Sequence, residues 1–176
     1  QSSYISDRHT LEILKAGENR IYSMALVHDL LYRSQNLARI NLAEYIEALT
    51  TNLYSAANLN SNQVTFKVET EPIWVGIDTA IPCGLIVNEL TSNALKYAFP
   101  SGRMGQINVT IKSLTHNNVI LKVGDNGIGL PLKLDWRKTE TLGLQIVNTL
   151  TTQLQGSIEL TKREFGTEFI VIFAIQ

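Results

Sequence analysis

Apolar and polar positions along the chain change period several times, and each change marks an element. From about Arg8 to Arg33, Leu14, Gly17, Ile21, Met24, His28 and Leu31 recur at spacings of three and four. That is the a/d rhythm of a helix-packing seam, so this stretch predicts one long helix. Asn41 is a suitable N-cap for a second helix from about Leu42 to Ala57, with Ile46, Leu49, Leu53 and Ala57 on one face. The polar run Asn58 to Asn62 closes that unit as a turn.

The period then shortens to two. Val64 to Val68 alternates as a strand, and Ile73 to Val75 forms a brief apolar run after Pro72. Asp78 or Thr79 starts a strong helix that reaches about Ala98 and is stopped by Pro100 and Gly102. Strands are expected at Gln106–Leu114 and Asn118–Val123, joined by a turn at His116 and Asn117. Asp125 to Pro131 reads as a glycine-rich loop, followed by a polar stretch to about Thr141. A helix from about Leu142 to Leu154 ends at Gly156, and Ser157–Thr161 with Thr167–Ile175 makes a closing hairpin. Helices among hairpin-connected strands imply an α+β sandwich with helices on one face of the sheet.

Length and charge narrow the function. The 176 residues make one domain with a small helical appendage. Fifteen Lys and Arg against 16 Asp and Glu give a formal net charge of −1, without the basic surplus that phosphate neutralisation by a nucleic-acid binder requires. The single Cys83 has no intrachain partner, and no Cys/His spacing suits zinc. No apolar run approaches the roughly 20 residues of a membrane span. The chain opens on Gln rather than Met, which reads as a piece of a longer protein.

Four segments could carry chemistry. In Ile86–Tyr97, the helical pitch of about 100° per residue groups Glu89, Asn93 and Lys96 within roughly 60°, opposite Val87, Leu90, Ala94 and Ala98. A carboxylate, an amide and an ammonium so grouped can activate a nucleophile, hold a cation and hold an anion. The same pattern also describes the solvated face of an ordinary amphipathic helix. Asp125-Asn-Gly-Ile-Gly129 puts a carboxylate at a strand end, with Gly127 and Gly129 permitting close backbone approach to a ligand. Such a carboxylate accepts from an exocyclic amine, although Asp-Asn-Gly also makes plain turns. Leu142-Gly143-Leu144 opens a helix whose free N–H groups suit an anion. Gly166-Thr167 can turn a hydroxyl inward. No Walker-type phosphate loop is present.

Together and in this order, these segments resemble the Bergerat-fold (GHKL) ATPases, the superfamily of gyrase, Hsp90, MutL and histidine kinases. Asn88-Glu-Leu-x-x-Asn-Ala-Leu-Lys-Tyr97 is similar to the N box, Asp125-x-Gly-x-Gly129 to the G1 box and Leu142-Gly-Leu144 to the G2 box. Within the superfamily the wording is closest to sensor histidine kinases of the HisKA_2/HWE-like group, on Asn19–Tyr32 and Pro82–Leu90. The resemblance implies a helical dimerisation segment at 1–60 and an ATP-binding catalytic domain with a mixed sheet at 61–176. The family's phosphoacceptor box, on an earlier helix, is absent from this sequence. Half of the expected four-helix bundle is missing with it.

Residue by residue, the resemblance gives Asp125 the adenine amine, with Thr167 beside it. It gives Asn93 the Mg²⁺, Lys96 and the N–H groups near Gly143 the phosphates, and Tyr97 and Ile128 the nucleoside. Gly127, Gly129 and Leu144 complete the ATP site. Glu89 holds the position of the general base in hydrolysing members, and in a kinase it would position the metal or the incoming imidazole. The implied function is transfer of the ATP γ-phosphate to a histidine outside this sequence, and thence to a response-regulator receiver domain. A homodimer through the helical segment and a cytoplasmic setting, the parent protein being free to attach to a membrane, belong to the same expectation. A self-contained GHKL ATPase or serine kinase, or a degenerate nucleotide-binding or dimerisation module, are the alternatives.

The remaining candidates read as incidental. His28 precedes Asp29 as in some phosphoacceptor pairs, yet it lies on the Leu14–Leu31 seam and reads as a packing or interface residue. His9 and His116 read as inert, and Asn108-Val-Thr110 as a chance glycosylation pattern in a strand. Ten residues, Leu132 to Thr141, separate the two glycine boxes. That suits a short lid, with Trp136 covering the pocket, docking a partner or packed on the surface.

Overall fold

The computed structural model describes residues 8–33, 39–57, 63–115, 117–131, 135–138, 141–162 and 165–175. The expected turns at 58–62 and at His116, and residues 132–134 and 139–140 of the expected lid, lie outside the described residues, as does the side chain of His9. Four helices are described: α1 (Arg8–Arg33), α2 (Leu42–Ala56), α3 (Ile77–Tyr97) and α4 (Leu142–Gln153). The strands are β1 (Ile40–Asn41), β2 (Val64–Thr70), β3 (Trp74–Val75), β4 (Gly105–Ser113), β5 (Asn118–Asp125), β6 (Ser157–Lys162) and β7 (Thr167–Ala174).

Five strands form one mixed sheet in the order β2-β4-β5-β7-β6. β2 runs parallel to β4, and every other neighbouring pair is antiparallel. The parallel pair needs a crossover, and α3 supplies it. Period-two burial shows which face is covered: Ile107, Val109 and Ile111, Val119, Leu121 and Val123, and Phe169, Val171 and Phe173 are buried. The residues between them stay half-exposed. Helices α2, α3 and α4 close this face, burying Ile46, Leu49, Ile86, Val87, Leu144 and Val147 against it. Each such side chain removed from water contributes about 1.5–3 kcal/mol, which is the main term holding the layers together.

Asn41 caps α2 as expected: its Oδ1 accepts from the Ala43 N–H at 3.2 Å and its Nδ2 donates to Glu44 at 2.9 Å. The two-residue strands β1 and β3 pair antiparallel and set the entry of α2 beside that of α3. α3 begins one residue before the expected caps, at Ile77 after Gly76. β5 continues two residues past its expected end, so Asp125 is the last ladder residue, opposite Ile107, rather than part of the loop.

α1 is the long helix the apolar rhythm requires, but the stripe it buries is a different one. Ser23 and Val27 are fully buried, with Leu26, Leu30 and, alone of the seam's large apolar residues, Leu31 packed beside them. The seam residues Leu14, Ile21 and Met24 are exposed, Ile21 at 69%. His28 is exposed on the same side. Ser23 meets α2 directly, since the buried Tyr45 hydroxyl donates to its carbonyl at 3.0 Å.

Candidate functional site

Between α3, the end of β5 and the start of α4 lies a cavity of about 610 Å³. Its floor is Val123, Gly124 and Phe169 from β5 and β7, and Leu90 and Ala94 of α3 with Ala98 at its C-terminal cap form one wall. An apolar pocket of a few hundred Å³ with few polar groups is the usual form of a small-molecule site.

The polar groups converge at two ends. Asp125 is 4% exposed. One of its carboxylate oxygens accepts from the Gly127 N–H at 2.8 Å, and the other accepts from the Thr167 hydroxyl. These two donors fix the plane of the carboxylate at the cavity wall. The loop after Asp125 is pressed against the C-terminus of α3, where the Ile128 N–H donates to the Ala98 carbonyl at 3.0 Å. A Cβ at Gly127 would lie 2.3 Å from that carbonyl oxygen, so only glycine fits. Gly127 thus shapes the pocket from behind without lining it, whereas Gly129 lines it directly.

At the other end stand Asn93 and the first turn of α4. A Cβ at Gly143 would lie 3.7 Å and 3.8 Å from the two Asn93 amide atoms and 2.8 Å from a Glu89 oxygen. The first turn of α4, where a helix leaves backbone N–H groups without intrahelical partners and its dipole end is positive, therefore lies beside the Asn93 amide. Leu144 lines the cavity beside them, and Tyr97 (64% exposed) and Ile128 (58% exposed) form its rim.

Glu89 and Lys96 do not line this cavity. Glu89 is 6% exposed and bound to α1: Arg20 Nε donates to Oε1 at 2.7 Å and Nη2 donates to Oε2 at 3.0 Å. That hydrogen bond is the main reason the Arg20 guanidinium holds its proton above the ordinary value, against the opposing effect of burial. Lys96 opens onto a second depression of about 220 Å³, shared with Lys15 and Asn19 of α1 and Leu53 and Ala56 of α2. Lys15 donates to the Ala56 carbonyl there at 2.9 Å. Trp136 is buried edge-on against Phe169, ring centres 5.3 Å apart, with Arg137 over its outer face. It braces the cavity floor from behind.

Sequence reasoning missed Arg20. Its signal was available: Arg20, Ser23 and Val27 follow one another by three and four, a second helical stripe beside the more apolar one.

A one-sided mixed sheet under three helices, with an apolar cavity bounded by an Asp-x-Gly-x-Gly strand end and a glycine-led helix, defines a GHKL-type nucleotide-binding domain. The chain belongs to the histidine kinase-, DNA gyrase B- and HSP90-like ATPase family, which matches residues 78–176. A histidine kinase family matches residues 1–57. The chain is 30% identical over 175 residues to the sensor histidine kinase PdtaS of Mycobacterium tuberculosis, covering 97% of this chain and 34% of that protein. It is 29% identical over 104 residues to blue-light-activated histidine kinase 2 of Erythrobacter litoralis, covering 59% of this chain and 30% of that protein. The chain thus spans about a third of the length of the curated relatives it matches. Its fold is that of the histidine kinase domain of the Erythrobacter litoralis EL346 blue-light activated kinase, with a TM-score of 0.83 at 22% identity over 91% of this chain and 75% of that one. Among the described residues, no helix is long and apolar enough to cross a membrane.

Proposed function

We propose that the chain is the ATP-binding catalytic part of a sensor histidine kinase, passing the ATP γ-phosphate to a histidine carried elsewhere in its protein. The single observation that carries this reading is the Asp125 carboxylate, locked by Gly127 and Thr167 at one end of an apolar cavity whose other end is a helix N-terminus. Adenine suits the first end, because an acceptor fixed in a dry wall prefers an exocyclic amine to a carbonyl. A triphosphate suits the second, where free backbone N–H groups and the dipole favour anionic charge.

The roles follow from position. Asp125 orients the base, and Tyr97 and Ile128 cover the nucleoside from the rim. Gly127 and Gly129 let the loop close on it, and Leu144 packs beneath the phosphates while the N–H groups around Gly143 bind them. The Asn93 amide oxygen is a fitting ligand for Mg²⁺, which takes few protein oxygens and would neutralise phosphate charge when bound. Glu89 stands beside Asn93 and orients the group that attacks the phosphate. Lys96 reaches the phosphates only by swinging across the rim from the second depression; the α4 amides need no such movement.

In this reading the exposed Leu14, Ile21 and Met24 stripe of α1 joins a second copy, a response-regulator receiver domain takes the phosphate onward, and the site works on the cytoplasmic side. Calorimetric titration with a non-hydrolysable ATP analogue, with and without Mg²⁺, tests the pocket. Magnesium-dependent binding that is lost in Asp125→Ala is the expected result. Absence of binding by the unsubstituted chain overturns the reading.

A further inference from the structure

Glu89 stands where three helices meet. Its neighbours on α3 are Asn88, whose amide donates to Oε1 at 3.3 Å, and Asn93 one turn on. Gly143 of α4 approaches so closely that any side chain there would collide with Oε2. The fourth neighbour is Arg20, which reaches the carboxylate from α1 and grips both oxygens. A two-pronged guanidinium contact fixes the plane of a carboxylate as well as its place, which a single-point contact cannot do. Arg20 shares its stripe with the buried Ser23 and Val27, so the grip lasts only while α1 is docked.

We propose that Arg20 is a positioning residue for phosphoryl transfer: from the helical segment it aims the Glu89 carboxylate at the phosphate end of the cavity. This rests on the function proposed above and adds a residue that none of the nucleotide boxes contains. A buried carboxylate stripped of its counter-charge turns toward solvent, which takes it away from Asn93 and the α4 N-terminus. Misplacement by about 1 Å can cost on the order of 100-fold in rate without touching substrate affinity. Nucleotide binding, which depends on Asp125 and α4, is independent of α1, whereas chemistry requires it. The helical segment thereby controls the rate of transfer and leaves occupancy of the site alone.

The test uses the full-length kinase with its phosphoacceptor histidine, measuring incorporation of label from γ-labelled ATP as maximal rate and KM. Calorimetry and thermal unfolding accompany it. The variants are Arg20→Gln, Arg20→Lys and the exchange Arg20→Glu with Glu89→Arg. Arg20→Gln is expected to lower the maximal rate about tenfold or more with KM and nucleotide Kd within about twofold, and Arg20→Lys to recover part of the rate. The exchange is expected to restore melting temperature but not rate, because the carboxylate then sits on the wrong helix. If Arg20→Gln does not fold, the same split between rate and KM is read on Arg20→Lys, which keeps the charge.

An unchanged rate in a folded variant makes the pair a structural staple and overturns the proposal. A raised rate makes it a brake, and a rate restored by the exchange shows that the carboxylate has no directional role; both overturn it equally. Binding by the unsubstituted protein is measured first, so that a failed nucleotide site is told apart from a failed role for Arg20.

Discussion

The Thr167 hydroxyl donates to the Asp125 carboxylate from the neighbouring strand, so the acceptor at the deep end of the cavity is held across the β5–β7 ladder. Asp125 therefore presents one orientation to a ligand. Asp125→Asn exchanges an acceptor for a donor there and should weaken ATP-analogue binding by about 10- to 100-fold, the worth of a charge-assisted hydrogen bond. Thr167→Val, which leaves the carboxylate in place but unsteadied, should cost only a few-fold, about one ordinary hydrogen bond. Calorimetry on both variants checks the ranking, and a Thr167→Val loss as large as that of Asp125→Asn would contradict it.

Gly84 on α3 exists to admit Tyr45. A Cβ at position 84 would sit 1.9 Å from the Tyr45 hydroxyl oxygen, inside the buried core. Gly84→Ala should therefore destabilise by about 1–3 kcal/mol, the cost of overpacking. Tyr45→Phe should cost about 1 kcal/mol for the lost bond to the Ser23 carbonyl. The double variant should lose less than the sum, since removing the hydroxyl clears the nearest clash. Urea unfolding of the three proteins measures the coupling; strict additivity would show that the ring, not its oxygen, is the obstacle.

Cys83 is fully buried one residue away, and burial pushes its thiol well above the usual range. Since the thiolate is the reactive form, the native protein should not react with a chromogenic disulfide reagent at pH 8, and should react fully in denaturant. Rapid reaction under native conditions would mean that α3 and α2 part far more readily than their packing implies.

Glu69 joins Lys67 on its own strand at 2.7 Å and Lys112 across the β2–β4 pair at 2.9 Å. Hydrogen bonds from Lys67 and then Lys112 hold its carboxyl at about 2, below the ordinary 4.5. The unfolded chain thus binds the proton more readily than the native one. The ion pairs stabilise the fold above about pH 4.5, and that contribution disappears as the pH falls toward about 2. Glu69→Gln should flatten this part of the acid limb of a melting-temperature profile, and salt should do the same because the group is at the surface. An unaltered acid limb would remove Glu69 from the account.

The sequence made much of this visible, for reasons that differ by element. Asn41 caps α2 with its own side chain, so that boundary is written locally. The sheet alternates strictly at Ile107, Val109 and Ile111, so its covered face could be read without any partner. The pair β1–β3 could not be foreseen, because two residues carry no period and their ladder depends on where α2 and α3 enter. The site shows the same division. Asp125, Gly129 and Thr167 meet as the family resemblance implies, and Asn93, Tyr97, Ile128 and Leu144 line one cavity. Lys96 falls outside because the rim crosses α3 between positions separated by only about 60°, finer than helical periodicity can resolve. The inward stripe of α1 escaped because it holds Arg20 and Ser23, polar residues that tertiary partners alone explain.

α3 is a party wall between two rooms. Leu90, Asn93 and Tyr97 face the larger one, while Ser92, Leu95 and Lys96 face the smaller one beneath α1. The helix runs from Ile77 to Tyr97 without a break, a rod roughly 30 Å long, and residues 92 and 93 have no hinge between them. The side chains that floor the smaller room and those that wall the larger one are therefore carried on one continuous backbone.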